Sequence, residues 1–234
     1  MAQLVSSKNL LKQASALVVG AISSAAILEE VSQAGLTSGD CDLLELRLDS
    51  IDLPIAEVHA LASRLTLPLL ITARHPDEGG HRNLSTAQRQ ELLLSHLDLA
   101  VLMDIELRSV GEMIPLVQKA QGRGVGVIGS FHDFHTTPND DVLQGSVDFG
   151  LQFKLDAVKI ATTLQSPNDL ARLLQLISKE RRLPLSVMGM GSLGRASRLV
   201  LAKSGSILNY GYLGQSNAPG QWAARQLKDL IQQL

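Results

Sequence analysis

Eight short apolar segments, each followed by a helical pattern, predict that this 234-residue chain folds as an α/β barrel of parallel strands. The pair of segment and helix recurs about every 30 residues, which fits an eight-fold strand-helix barrel. Parallel strands that are covered on both faces are almost wholly apolar, as these segments are. An open, doubly wound sheet shows the same alternation and is the alternative fold. Because no linker or change of composition interrupts the chain, we expect residues 1–234 to form one domain.

The order of the elements follows from the apolar segments and from the residues that flank them. The predicted strands are residues 17–22, 43–48, 68–72, 100–105, 124–130, 157–161, 184–188 and 207–210. Helical patterns lie between and after these strands, and clear examples are residues 25–34, 55–64, 85–96, 110–120, 167–178 and 221–234, with a further helix that carries Arg195 and Arg198. Ser85 and the pair Ser166 and Pro167 are typical of helix starts, and Gly35 is typical of a helix end.

The composition indicates an ordinary globular protein and argues against several kinds of partner. Hydrophobic residues make up 45% of the chain, which is enough for a sizeable core. The net charge of -2 and the aromatic content of 3% provide neither a basic surface for phosphates nor rings for stacking on bases, so we expect no nucleic acid partner. Cys41 is the only cysteine, which excludes an intrachain disulfide and a cysteine-based zinc site. We expect it to be a small buried side chain in a cytoplasmic protein, since that compartment is reducing.

The amino-terminal region superficially resembles a signal peptide, because Lys8 and Lys12 precede an apolar stretch over residues 14–28. Ser23 and Ser24 interrupt that stretch, and its two halves are better interpreted as a strand followed by a helix. No other segment approaches the roughly 18 apolar residues that a membrane span needs. We therefore expect neither a secretory leader nor a membrane partner.

Lys159 is the most informative residue, because it ends an apolar run within residues 156–162 and is expected at the end of its strand. An ammonium group in an apolar pocket loses hydration, which lowers its pKa and makes a neutral amine available to attack a carbonyl. A lysine at a strand end is also commonly a solvated residue whose stem covers apolar surface. His132, a candidate proton carrier, directly follows the preceding strand. Because all strands of such a barrel end at one face, the joint placement favours a Schiff-base lysine with a nearby acid or base.

Charged residues also end the second, third and fourth strands. Glu45, Arg47 and Asp49 alternate along the second, so their side chains share one side, which in a barrel is the interior near its mouth. For Glu45, a structural ion pair with a neighbouring arginine is an equally good interpretation. Arg74 and Glu78, with Gly79 and Gly80, follow the third strand. The fourth strand ends in the acidic residues Asp104 and Glu106. The two glycines allow close approach of backbone to a ligand or to another loop.

Two features near the carboxyl terminus indicate a binding function. Residues 188–194 are rich in glycine and precede a helix with Arg195 and Arg198, an arrangement that suits a phosphate or a carboxylate. Residues 210–221 form a loop long enough to close over a site.

Five motifs, taken in order along nearly the whole chain, resemble those of the type I 3-dehydroquinate dehydratases of the shikimate pathway. The motifs are Glu45-Leu-Arg-Leu-Asp49, Arg74 with Glu78-Gly79-Gly80, Ser130 to Phe134 with Thr137-Pro138, Val158-Lys159-Ile-Ala161, and Ser197-Arg198-Leu199 with Ala218-Pro-Gly-Gln221. The resemblance implies a TIM barrel, a homodimer, and a reaction that needs neither a metal nor an organic cofactor.

The resemblance also implies a role for each matching residue. Lys159 would form an imine with the ketone of 3-dehydroquinate, and His132 would remove the C2 proton and then protonate the leaving hydroxyl, giving 3-dehydroshikimate by syn elimination. Glu78 would orient His132. Arg198, Gln221 and Asn217 would contact the substrate carboxylate end. Glu45, Arg47 and Arg74 would lie around its ring hydroxyls.

The chain departs from the family pattern at two places in the site, one of which is the stretch Thr162-Thr-Leu-Gln165 after Lys159, where some relatives carry bulkier residues. Many members have a serine directly before the Ala-Pro-Gly-Gln segment, where this chain has Asn217, and its nearest serine is Ser216. Either side chain can donate a hydrogen bond, so both remain candidates. His135 has no predicted role. Aromatic biosynthesis and quinate breakdown are both compatible with the sequence.

Three other functions compete with this interpretation. A class I aldolase would also use a Schiff-base lysine but leaves the His132 motif unexplained. A metal-dependent hydrolase could recruit His75, Glu78, His132 and His135, but the first strand lacks the histidine pair that such barrels carry. A non-catalytic barrel that acts as a binding module predicts loss of the lysine or the histidine, and both are present.

Overall fold

The eight predicted strands form one sheet in which every paired strand runs parallel to its neighbour. The structure is a computed structural model, and it describes residues 7–12, 16–214 and 220–234. The strands are β1 Leu17–Ile22, β2 Leu43–Arg47, β3 Leu69–Thr72, β4 Leu102–Glu106, β5 Gly126–Asp133, β6 Ala157–Thr163, β7 Leu185–Met190 and β8 Leu208–Tyr212.

The sheet curls into a barrel. Strand β1 pairs with both β2 and β8, which leaves β7 and β8 as the two ends of the strand order. Where β7 meets β8, the N–H of Ile207 donates to the carbonyl of Leu185 (2.9 Å) and the Ser186 hydroxyl donates to the carbonyl of Leu208 (2.6 Å). The predicted barrel is therefore confirmed, and the open sheet is excluded.

Helices connect successive strands and cover the outside of the barrel. They are α1 Ser7–Leu11, α2 Ala25–Ala34, α3 Ile55–Ala62, α4 Thr86–Ser95, α5 Leu107–Val110, α6 Ile114–Gly122, α7 Asp140–Gln152, α8 Pro167–Lys179, α9 Gly194–Lys203 and α10 Ala224–Gln233. The predicted caps are present: Ser85 forms a capping box with Gln88, and Gly35 ends α2 at a φ of 69°. Among the described residues, no helix is long and apolar enough to cross a bilayer.

The predicted helix over residues 110–120 is wrong in its boundaries. The chain forms the short helix α5 first, and α6 begins only at Ile114, with Pro115 in its first turn. Proline lacks an N–H and is favoured in the first turn of a helix, which explains the new start. Helix α7, which Asn139 caps, is the helix that follows β5, for which no bounds were predicted, and the last helix begins at Ala224 rather than at residue 221.

The inside of the barrel changes from apolar to polar along four of its strands, β2 to β5. Because successive residues of a strand alternate between its faces, the inward positions lie two residues apart. The first halves of these strands carry the buried residues Leu43, Leu70, Leu102 and Ile128. Two residues later, the same strands carry Glu45, Thr72, Asp104 and Ser130, all buried. Their carboxyl ends then carry Arg47, Arg74, Glu106 and His132.

The amino-terminal end of the barrel is packed with hydrocarbon. Leu10 and Leu11 of α1 belong to the same buried cluster as Leu17 and Leu43 inside the barrel. Ser7 fixes this helix by donating to the carbonyl of Gly124 (2.8 Å). Cys41 is buried as predicted, and burial raises the pKa of its thiol to about 12. Polar chemistry is therefore confined to the other end of the barrel.

Candidate active site

The carboxyl ends of the strands surround a cavity of about 230 Å³. Eight of the nine predicted site residues line it: Glu45, Arg47, Arg74, Glu78, His132, Lys159, Arg198 and Gln221. The ninth, Asn217, lies outside the described residues, as does its alternative Ser216. Segments separated by more than 170 residues in the chain thus meet at one point, which the barrel topology brings about.

Lys159 lies deeper in the barrel than the sequence predicts. It is the third residue of β6, which continues to Thr163, because the polar residues after it keep pairing with β5, as in the pair Thr162 and Asp133. Its neighbours Val158 and Ile160 pack in the layer under the helices, so Lys159 points inward, and it is only 4% exposed.

The Lys159 amine has an acidic and an aromatic neighbour. Its Nζ donates to Oδ2 of Asp104 (2.9 Å) and lies 4.3 Å from the centre of the Tyr210 ring. Burial lowers the pKa of Lys159 below its usual value, and the Asp104 carboxylate opposes part of that change. The amine is therefore closer to its neutral, nucleophilic form than a lysine in water.

Asp104 is a site residue to which the sequence assigned no role. Its Oδ1 accepts from Nη1 of Arg74 (2.8 Å), while its Oδ2 holds Lys159. Although burial alone would raise its pKa, the two cations Arg74 and Lys159 hold the pKa of Asp104 well below its usual value. Asp104 is thus a fixed negative charge next to the amine. The alternation of Asp104 and Glu106 along β4 was its only signal in the sequence.

His132 and Glu78 form a second buried pair. The Nδ1 of His132 lies 2.9 Å from Oε2 of Glu78, which also accepts the backbone N–H of His132 (3.1 Å). Burial and then the charge of Glu106 raise the pKa of Glu78 to about 7. Burial, together with the positive charges of Arg74 and Lys159, lowers the pKa of His132 well below its usual value. The histidine is therefore neutral near pH 7, and its Nε2 is not used in this pair.

Glycines 79 and 80 let the turn that carries Glu78 approach the histidine strand. A Cβ on Gly79, whose φ is 85°, would lie 2.8 Å from the ring of Phe134, and a Cβ on Gly80 would lie 2.4 Å from the carbonyl of Arg74. The Phe134 ring stacks on that of His132 at a centroid distance of 6.3 Å. The close approach of backbone to another loop, which the sequence predicts at these glycines, is present.

The remaining polar residues are held at different depths. Arg47 donates to both carboxylate oxygens of Asp49 (3.0 and 2.8 Å) and to the carbonyl of Gly79 (3.0 Å), so it fixes the turn next to Glu78. Glu45 accepts from the hydroxyl of Thr72 (2.7 Å). Among the described residues, no arginine lies within salt-bridge distance of Glu45, which disfavours the structural ion pair.

The opposite wall of the cavity holds unused hydrogen-bond donors. Arg198 of α9 is buried, its Nη1 donates to the carbonyl of Tyr210 (2.9 Å), and burial lowers its pKa to about 10. Neither Nε of Arg198 nor the hydroxyl of Tyr210 finds a hydrogen-bond partner within the described part of the chain. Buried donors of this kind normally have partners, so this wall is suited to a polar ligand.

His135 and His75 lie outside the cavity. His135 is exposed, and its carbonyl accepts from the Gln165 side chain (2.7 Å). His75 precedes the short 3-10 turn Pro76–Glu78, where its Nδ1 accepts from the N–H of Asp77 (3.0 Å). Across the described ranges, no group of three or more His, Cys, Asp or Glu side chains is arranged to hold a metal ion.

Comparisons with known proteins agree with this geometry. The family model described as type I 3-dehydroquinase matches residues 16–234. A 3-dehydroquinate dehydratase of Klebsiella pneumoniae is 36% identical over 217 residues, covering 84% of this chain and 84% of that protein. One of Thermodesulfovibrio yellowstonii is 34% identical over 193 residues, covering 81% of this chain and 83% of that protein.

Solved structures show the same fold. A type I 3-dehydroquinate dehydratase of Clostridium difficile, with covalently modified comenic acid, superposes with a TM-score of 0.85 at 27% identity, covering 94% of this chain and 93% of that chain. A 3-dehydroquinate dehydratase of Geobacillus kaustophilus gives 0.85 at 25% identity, covering 97% and 94%. Together with the match over residues 16–234, these similarities establish that the chain belongs to the type I 3-dehydroquinase family.

Proposed function

We propose that this chain dehydrates 3-dehydroquinate to 3-dehydroshikimate through an imine on Lys159. The observation that carries the proposal is a buried amine with a lowered pKa, held by Asp104, in one cavity with a neutral histidine. The relatives named 3-dehydroquinate dehydratases support the choice of substrate.

The first step is the attack of the Lys159 amine on the ketone carbon of the substrate. The carbinolamine that forms takes up the proton that the ammonium form had released and loses water. This leaves an iminium ion whose positive charge lies where the ammonium charge lay before. The Asp104 carboxylate, 2.9 Å from Nζ, stabilises that charge. Because the iminium ion itself withdraws electrons, the reaction needs no metal ion or organic cofactor as electron sink.

The second step is proton transfer by His132. The iminium withdraws electrons from the adjacent C2, so the C2 proton becomes acidic and moves to Nε2 of His132. The enamine that results expels the C1 hydroxyl, which takes the proton from the imidazolium and leaves as water. Another water molecule then hydrolyses the imine, which releases 3-dehydroshikimate and the free amine of Lys159.

Glu78 tunes this histidine. Its Oε2 accepts at Nδ1 of His132, so the other ring nitrogen is directed to the substrate. A carboxyl group with a pKa of about 7 can carry a proton or release it during the cycle as the histidine gains charge. Glu78 is thus suited to both protonation states of His132.

The substrate carboxylate fits the wall that Arg198 forms. A guanidinium group can bind a carboxylate through two N–H groups, and the Nε of Arg198 is available for this within the described structure. We assign Gln221 and Asn217 to the same end, Glu45 and Arg47 to the ring hydroxyls, and Arg74 to the charges around the ring, where it also holds Asp104.

The wider context of the reaction is also part of the proposal. We assign the chain to the shikimate pathway, as a homodimer of single-domain chains (residues 1–234) in the cytoplasm, with 3-dehydroquinate as its small-molecule partner. Quinate breakdown is the alternative, since a 30% identical relative from Acinetobacter baylyi is named a catabolic 3-dehydroquinate dehydratase. A class I aldolase would share the lysine but would leave the pair of His132 and Glu78 without a role.

The decisive experiment is intact mass measurement after borohydride treatment, with and without 3-dehydroquinate. We expect a substrate-dependent gain in mass for the wild type and for Lys119→Ala, which removes an exposed lysine of α6, but none for Lys159→Ala. An active wild type that gives no adduct would exclude the imine mechanism. An adduct that persists in Lys159→Ala would place the imine on another lysine.

A further inference from the structure

An arginine on the outer helix α4 is buried as deeply as the barrel core. Arg89 is 1% exposed; its Nη1 donates to Oε2 of Glu106 (2.7 Å) and its Nη2 donates to the Ser109 hydroxyl (3.0 Å). Neither Arg89 nor Glu106 lines the cavity. Burying two such charges is costly unless their pairing is good, so this pair needs a physical explanation.

The other carboxylate oxygen of Glu106 accepts hydrogen bonds from two donors. Its Oε1 accepts from Nη1 of Arg74 (2.9 Å) and from the backbone N–H of His75 (2.9 Å). Arg74 is a side chain of the cavity wall, whereas His75 begins the turn that carries Glu78. The Glu106 carboxylate is thus the common start of two chains of contacts, here called branches, one through Arg74 and one through His75.

The first branch leads to the amine. Nη1 of Arg74 also donates to Oδ1 of Asp104 (2.8 Å), and Oδ2 of Asp104 accepts from Nζ of Lys159 (2.9 Å). Along this path the charges alternate in sign from α4 to Lys159. Each group therefore depends on the position of the one before it.

The second branch leads to the histidine. The carbonyl of His75 accepts the N–H groups of Glu78 and Gly80 (2.9 Å each), so the turn is built on this one residue. Glu78 then holds both Nδ1 and the backbone N–H of His132. A shift of the His75 peptide would therefore move the carboxylate that orients the imidazole.

We propose that the pair of Arg89 and Glu106 is a positioning element that fixes the positions of both Lys159 and His132. It acts through Arg74 and Asp104 on the amine, and through the turn at His75 on the histidine. The inference rests on the proposed function, because it takes Lys159 and His132 to be the reacting groups.

Loss of Arg89 has a definite electrostatic consequence. Glu106 would keep a buried charge without its main partner, and it would draw Arg74 away from Asp104. Both changes strengthen the hold of Asp104 on the Lys159 ammonium, because the positive charge of Arg74 now lowers the pKa of that amine. The free amine would then appear only at higher pH. The charged and titratable groups that face Lys159 from the neighbouring strands are Glu45, Arg74, Asp104, His132 and Tyr210.

The test compares Arg89→Met with the wild type in borohydride trapping across a pH series, together with kcat, KM and thermal unfolding. We expect the midpoint of adduct formation to move up by about 1 pH unit. We expect kcat to fall about 100-fold, since both reacting groups are displaced, while KM changes little. Arg123→Met, which removes an exposed arginine after α6, should match the wild type in every readout.

Two further variants separate positioning from folding. In the double variant Arg89→Met with Glu106→Gln, no unpaired carboxylate remains, so the pH midpoint should return to the wild-type value. Arg89→Lys keeps the charge but loses the second hydrogen bond, so its midpoint should lie between the wild type and Arg89→Met. If Arg89→Met does not fold, the comparison of Arg89→Lys with the wild type decides.

The outcomes distinguish this inference from the proposed function. A wild type that forms the adduct, with Arg89 variants that are folded and have an unchanged midpoint and kcat, would overturn the positioning role alone. A stability loss without a shift in midpoint would also overturn it. A wild type that forms no adduct would overturn the imine mechanism and this inference with it.

Discussion

Two glutamates at opposite ends of the barrel expose similarly little surface, but their pKa values shift in opposite directions. Glu78 is 6% exposed and Glu180 is 7% exposed, yet the pKa of Glu78 rises to about 7 while that of Glu180 falls to about 2. Glu180 follows α8 near the amino-terminal end of β7, where Nη2 of Arg182 donates to its Oε2 (2.6 Å). Glu78 faces a neutral histidine and, farther away, the like charge of Glu106.

The difference shows that burial by itself does not set the charge of a carboxyl group. Burial favours the neutral form of both residues, and a hydrogen-bonded cation reverses that preference only at Glu180. At the amino-terminal end, the charged Glu180 forms an ion pair with Arg182 and stabilises the fold. At the carboxyl end, a carboxyl group without its own cation can exchange a proton near pH 7.

The strongest test of this comparison is the activity of two matched variants. Glu78→Gln should lower kcat/KM about 100-fold, because the amide cannot gain or lose a proton as His132 changes charge. Glu180→Gln, the same substitution at the other end, should leave kcat/KM unchanged. Steady-state kinetics with 3-dehydroquinate would measure both. Equal losses in the two variants would refute the assignment of Glu78 to proton transfer.

The same variants should differ in the pH dependence of their stability. The folded pKa of Glu78 is raised, so its stabilisation is complete below pH 4.5 and is lost as the pH rises through 7. The folded pKa of Glu180 is lowered, so its stabilisation is present above pH 4.5 and is lost as the pH falls towards 2.

Relative to the wild type, Glu78→Gln should therefore gain about 3 kcal/mol of unfolding free energy between pH 4 and pH 8. Between pH 2 and pH 4.5, the trend for Glu180→Gln should be the opposite: its unfolding free energy falls further below that of the wild type as the pH rises, and the deficit is largest near pH 7. Urea unfolding at a series of pH values would provide the curves. Parallel curves for the two variants would contradict the difference in acidity.

A pair of glycine variants tests how the turn next to Glu78 is held. Gly79→Ala and Gly35→Ala both place a side chain at positive φ, 85° and 69°, and each should cost about 1 kcal/mol of stability. Only the new Cβ at Gly79 meets a ring, that of Phe134, which stacks on His132. We therefore expect kcat to fall about 10-fold for Gly79→Ala alone. A normal kcat in Gly79→Ala would show that the ring contact does not affect the histidine.

The smallest effect is expected for an exposed ion pair near Glu180. Arg182 also contacts Asp148 (3.0 Å), but their side chains are 56% and 54% exposed. Asp148→Ala should therefore change the unfolding free energy by less than about 0.5 kcal/mol. Thermal unfolding at low and high salt would measure it. A loss of 2 kcal/mol or more would mean that this pair acts with Glu180 as one network.

The fold was predictable because the strands carry their own signal. Strand β1 has the predicted bounds, Leu17 to Ile22, since every residue in it is buried. Strands β5 and β6 extend beyond the predicted ends because His132 and Thr162 are polar but stay in the ladder, and pairing between strands is not visible in one segment. The family was predictable from the motifs, and the comparison over residues 16–234 confirms it.

The site was predictable only where a residue is unusual for its segment. Lys159 and His132 stand out because a charge or a ring interrupts an apolar run. Asp104 was visible only as one of two alternating acids, since the sequence does not show which cations it meets. Arg89 lies on a helix in a polar stretch and resembles a surface residue there, so its burial follows only from the packing of α4 against the barrel.

The apolar packing at the amino-terminal end of the barrel has a consequence for how ligands enter and leave the cavity. Among the described residues, Leu10 and Leu11 pack with Leu17 and Leu43 at the amino-terminal end of the barrel, whereas the cavity lies at the carboxyl end of the strands. In the proposed reaction, substrate, water and product would all enter and leave on that carboxyl side. While the ring of the substrate occupies the cavity, the water that would hydrolyse the imine on Lys159 has to pass along the edge of the bound intermediate.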